Sequence, residues 1–93
     1  MRGAQVKFRK MFAKKLRAHR TLGGFDTARE FSSAIGMQEN TYTTWERGES
    51  LPNLEQFVRI CWVLGITPND LLWPRLRPGE VVTSEHMLEY GIE

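Results

Sequence analysis

An all-α fold is predicted by three features of this 93-residue chain. Apolar residues recur at helical spacing along its N-terminal stretch. The helix-starting residues Thr27, Asn53 and Thr67 each stand just ahead of a new apolar pattern. Gly23-Gly24, Gly36, Gly48, Gly65 and Pro74 supply five separate stop signals. The expectation is a compact five-helix domain over about residues 6–74, with a short C-terminal extension at 75–93.

The first helix is expected over about 6–22. Phe8, Met11, Phe12, Leu16, His19 and Leu22 fall on one arc, with Arg9, Lys10, Lys14, Arg17 and Arg20 opposite. Lys15 interrupts the apolar arc and has to snorkel or sit at its edge. His19, in mid-arc, reads as a packed core histidine. Thr27 with Glu30 three positions on is a capping-box pattern and starts a second helix, about 27–35, which carries Phe31 and Ile35 on one face. Gly36 supplies a left-handed residue for a tight turn. A third helix, about 38–47, puts Tyr42 and Trp45 inside and leaves Glu39, Asn40, Thr43 and Thr44 outside. Such a face of short hydrogen-bonding side chains suits insertion into something polar, and the major groove of DNA is the leading candidate.

A fourth helix begins at the capping pair Asn53 and Gln56. It buries Leu54, Phe57, Ile60, Cys61 and Leu64 and closes at Gly65. Thr67 caps a short fifth helix, about 68–73, with Pro68 in the favoured first position. In the extension, residues 80–83 could pair as a strand and 84–90 as a weak helix. Val81, Val82, Met87, Leu88, Tyr90 and Ile92 are too apolar for a freely solvated tail and are expected to pack on this domain, on a second subunit, or on nothing at all in the monomer.

Composition narrows the function. At 41% hydrophobic and 26% charged the chain is ordinary globular material. The longest apolar run, at 60–64, is far too short to span a bilayer, so no membrane role is expected. With no apolar signal core at the start, the protein is expected in the cytoplasm. The lone Cys61 forms no internal disulfide, which agrees with that compartment, and reads as a small packing residue. His19, His86 and Cys61 are wrongly spaced for a metal, so neither metal nor cofactor is expected. No nucleophile triad, carboxylate pair or phosphate loop appears, so the chain does not read as an enzyme. Net charge is +2, but residues 1–20 carry eight bases and no acid, whereas the remainder carries five bases and eleven acids. That asymmetry suggests an oriented molecule near a polyanion, the plainer alternative being a solvated helix face.

The segment from Thr27 through Trp45-Glu46-Arg47-Gly48 to Pro52 resembles the helix-turn-helix of the lambda-repressor-like (Cro/repressor, XRE) family. The resemblance covers roughly residues 8–73 and rests on helix start, turn glycine, Trp-Glu-Arg-Gly and downstream proline keeping their mutual spacing. It implies a sequence-specific transcriptional regulator of double-stranded DNA, with the third helix in the major groove of an operator. By position, Glu39, Asn40, Thr43 and Thr44 would meet base edges. Asn40 suits adenine, Glu39 a cytosine amino group, and threonine methyls thymine. Thr27, Arg29, Thr41, Arg47, Asn53 and Arg20 would hold phosphates. Arg20 would also bridge to Glu46, with Arg17 the alternative partner. Two departures stand out. Ala28 replaces a glutamine that commonly braces a phosphate, and Glu49 stands where relatives often carry a base.

The resemblance further implies a homodimer, its recognition helices about 34 Å apart on a near-palindromic site. Ile66, Leu72, Trp73 and Leu76 are the matching dimerisation residues. With no sensing domain, control would rest on protein concentration or a partner. The second function class is a protein-interaction module or antitoxin-like autoregulator that uses the same fold, its tail contacting a partner. A membrane-surface role for the basic first helix is weaker than either.

Overall fold

The computed structural model describes residues 2–72, with the backbone alone for 2–6. Five helices follow one another: α1 (Arg2–Leu22), α2 (Ala28–Ala34), α3 (Glu39–Glu46), α4 (Leu54–Leu64) and α5 (Pro68–Leu72). No strand occurs among the described residues. Trp73, Leu76 and the strand and helix expected at 80–90 lie outside them.

One core forms where α1 crosses α3 and α5 while α2 packs on α3. Phe12 and Leu16 enter it from α1, Phe31 from α2, Tyr42 and Trp45 from α3, Ile60 and Cys61 from α4, and Leu71 from α5. Phe25, Phe31, Tyr42 and Trp45 form an edge-on column with successive ring centroids 5.0, 5.3 and 5.8 Å apart. Each such pair adds about 0.5–1.5 kcal/mol beyond the area it buries. The column spans the turn and fixes α2 against α3. Burial raises the Cys61 thiol above its ordinary range, helped by the charge of Asp70, so this cysteine is a packing residue with little thiolate character.

The helix ends use different chemistry. Asn53 and Gln56 form a reciprocal capping box on α4, both bonds at 2.8 Å. At α2 the box is incomplete. Thr27 accepts from the Glu30 N–H at 3.1 Å, but its hydroxyl, not its backbone N–H, donates to the Glu30 carboxylate. The α5 cap reverses donor and acceptor, since both the N–H and the hydroxyl of Thr67 donate to Asp70. Arg59 reaches from α4 to the carbonyl of Ile35 at 3.3 Å, placing a cation at the C-terminus of α2.

Four expectations are corrected. Helix α1 starts at Arg2, a turn earlier than its apolar arc, because the strong helix formers Arg2, Ala4 and Gln5 outweigh Gly3. Leu22 is 81% exposed, since α1 ends there and Gly23, not Leu22, approaches Leu64 of α4. Leu54 is 77% exposed. As the first residue of α4 it sits at the rim of an apolar groove of about 250 Å³ shared with Phe8, Phe12, Phe57 and Leu72. His19 is only half-buried, at the edge of the core.

Candidate nucleic-acid interface

The turn between α2 and α3 depends on Gly36, whose φ of 72° is in the left-handed region. The N–H groups of Ile35, Gly36 and Met37 close the end of α2 on the carbonyls of Phe31, Ser33 and Ser32. The chain then reverses into α3, where burial sorts the side chains by face. Tyr42 is fully buried and Trp45 is 2% exposed. Glu39, Asn40, Thr41 and Arg47 are exposed, and Thr43 and Thr44 are half-buried. Gln38, the N-cap, makes no side-chain cap bond, so the first N–H groups of α3 are open to an outside acceptor.

Glu46 anchors the other end of α3. Its carboxylate accepts from Arg20 Nε at 2.7 Å and from the Tyr42 hydroxyl, and its carbonyl accepts from Arg17. Arg20 also donates to the Phe25 carbonyl at 2.8 Å. The Arg20 and Glu46 side chains are 11% and 9% exposed, so this charge pair is largely desolvated. Burial, followed by the bond to Glu46 and its negative charge, pushes the Tyr42 phenol well above its ordinary value, and Arg20 opposes the shift. With its guanidinium committed, Arg20 has little to offer a phosphate. Arg17 and Arg20 share the work, one holding the backbone of Glu46 and the other its side chain.

The outward residues differ in how free they are. Asn40 uses its carbonyl to accept from the Thr43 hydroxyl at 3.0 Å, and no bond to its side-chain amide occurs among the described residues. Thr44 donates to the Thr41 carbonyl at 2.7 Å and meets the Ser50 hydroxyl at 2.6 Å. Both threonine hydroxyls are therefore engaged within the protein, which leaves their methyl groups for an outside surface. Glu39 lies 3.9 Å from Arg29, and Glu49 lies 3.1 Å from Arg47; both pairs are solvent-exposed. Thr27 is exposed at the start of α2, and Ala28 packs on the core without a polar group. Asn53 caps α4 through Oδ1, so any donation to a phosphate falls to Nδ2.

Ser50 is the participant that pattern reading missed. It bonds α3 six residues back across a glycine turn, a separation with no helical or strand signature. Of the expected dimerisation residues, Ile66 and Leu72 are half-buried against the core. Trp73 and Leu76 lie outside the described residues. Among the described residues, no group of histidine, cysteine or acidic residues could hold a metal ion, and no helix is long and apolar enough to cross a membrane.

A family profile described as helix-turn-helix matches residues 14–71, the stretch that contains both α2 and α3. No curated protein and no solved structure matches the chain significantly.

Proposed function

We propose, from the premise that this chain belongs to the lambda-repressor-like helix-turn-helix family, that it reads an operator with α3. Its family membership makes it a DNA-binding regulator. The finer reading is that α3 enters the major groove of a specific site and that the bound protein controls transcription by occupancy.

The observation that carries this reading is the division of α3 into a buried aromatic side and an exposed side led by Asn40. In the proposed complex Asn40 pairs with adenine, Thr43 and Thr44 offer methyls to thymine, and Glu39 accepts from cytosine once it leaves Arg29. Thr27, Arg29, Thr41, Arg47 and Asn53 hold phosphates, and Arg20 acts chiefly through Glu46. The chain acts as a homodimer, using Ile66, Leu72, Trp73 and Leu76, on two half-sites about one helical turn apart.

Selection from random duplexes tests it. A recovered near-palindrome supports the reading, and no enrichment over input overturns it. On that site Asn40→Ala should relax base preference, whereas Arg47→Ala should weaken all sequences alike and lower the salt slope by about 0.9. Parental affinity in both variants would refute the assignment to α3. One observation favours an interaction module: the exposed cations Arg29 and Arg47 both face acids of this chain. Such a module would capture its partner with little salt dependence, while DNA affinity falls steeply as salt rises.

A further inference from the structure

We infer that α1 carries a second phosphate-binding track, Lys7, Lys10 and Lys14, which extends the DNA contact beyond the helix-turn-helix. The inference rests on the DNA-binding reading above. Lys7, Lys10, Lys14 and Arg17 succeed one another at steps of three and four residues, so they line one face of α1. All four are exposed. No carboxylate among the described residues pairs with Lys7, Lys10 or Lys14.

The side on which this face lies follows from how α1 meets α3. Arg17 holds the Glu46 carbonyl, and Gly48 sits so close to α1 that a Cβ there would lie 3.3 Å from Lys10 Cα. Ala13, 2% exposed, lies between these two points along α1. On one side of this seam are the core residues Phe12 and Leu16 of α1 with Tyr42 and Trp45 of α3. Going around each helix to the other side leads to Lys10 and Lys14 on α1, and to Thr43, Arg47 and Asn40 on α3. The lysines therefore share the outward surface of the proposed reading helix. From Lys7 to Arg17 the face is about 15 Å long at the helical rise, several phosphate spacings of a DNA strand.

A row of flexible ammonium groups fits phosphates as point charges and carries no base information. Lys7 and Lys10 also precede the residues matched to the family, which begin at 14. Two of the three lysines of the track thus lie on the part of α1 outside the matched stretch.

The test compares the parent with a Lys7→Gln, Lys10→Gln, Lys14→Gln triple variant on the selected operator and on an unrelated duplex. Glutamine keeps helix propensity, and the sites are exposed, so thermal unfolding should be unchanged. Each lost phosphate contact removes about 0.9 from the slope of log affinity against log salt. Between about 50 and 200 mM salt the parent should therefore lose affinity ~40-fold more than the triple variant. Each single variant should supply about a third of the slope change, and base preference should stay as in the parent. An unchanged slope in a parent that binds DNA would overturn the track alone. A parent that binds no duplex would overturn the DNA reading itself and the track with it. Salt-sensitive binding of the full chain to phosphatidylcholine–phosphatidylglycerol vesicles, lost in the triple variant while the DNA slope stays put, would assign the lysines to a lipid surface and overturn the proposal.

Discussion

Removing the Glu46 side chain tests the largest single electrostatic commitment of the fold. The carboxylate holds Arg20 and the Tyr42 hydroxyl in a region where both charged side chains are about nine-tenths buried. Glu46→Ala would strand the Arg20 cation beside an unpaired phenol, and breaking a buried pair in this way costs about 3–5 kcal/mol. A chain of this length has a total stability of about 5–14 kcal/mol, so much of it would be lost. At about 4–8 °C per kcal/mol for a domain of this size, Tm should fall by at least ~12 °C.

Urea and thermal unfolding followed by far-ultraviolet circular dichroism would measure the loss. Arg20→Ala should be similarly harmful, for it strands the carboxylate. The double variant should cost less than the sum, with a coupling of about 2–3 kcal/mol at the upper end of neighbouring pairs. A loss below about 1 kcal/mol for Glu46→Ala, the range of a solvated surface pair, would refute the claim that this pair is desolvated.

Three further outcomes follow from the structure. Gly48→Ala should destabilise by about 1–2 kcal/mol through its φ of 75°, and by more through its approach to Lys10; Gly65→Ala, at φ 67° with open space around it, should show only the first effect in thermal melts. The folded protein holds the Tyr42 proton more tightly than the unfolded chain, so stability should be intact below the ordinary phenol value of 10.0 and fall as pH rises above it. Phenolate absorbance should then show Tyr42 ionising only as the circular dichroism signal collapses, and early ionisation of both tyrosines would contradict its burial. Glu49→Gln should release Arg47 and remove a like charge near phosphate, raising duplex affinity several-fold in a binding titration, and an unchanged or lower affinity would place that turn away from DNA.

The order and number of helices were legible because each boundary has a local chemical cause. Gly36, Gly48 and Gly65 all have positive φ, and Asn53 with Gln56 closes a full capping box. Periodicity also found the buried aromatics of α2 and α3. It failed at Leu22 and Leu54, which stand at helix ends: α4 meets the chain at Gly23 and not at Leu22, and Leu54 reaches only the rim of the groove it lines. Helical spacing describes a face, but it does not say how far along that face a partner helix reaches. The same limit applies to the outward face of α3. Residue type marked Thr43 and Thr44 as polar readers, yet the bonds to Asn40, Thr41 and Ser50 that occupy their hydroxyls depend on backbone geometry and on a loop residue six positions on.

To read bases as proposed, α3 must be fixed in rotation as well as in place, because a roll by one residue, about 100°, would point a different side chain at them. The structure holds α3 against rolling at both ends by unlike means. Near its start the Phe31–Tyr42 contact seats the helix on α2, and at its finish Arg17 and Arg20 grip Glu46 from α1. The aromatic contact is apolar and resists separation more than rotation, whereas a guanidinium fork on a carboxylate is directional. Orientation therefore rests mainly on the arginine end, which lies nearest the lysine face of α1. A variant that weakens Glu46 without unfolding the domain should lose discrimination between sites before it loses general duplex affinity, since the exposed cations remain while the angle of Asn40 is released.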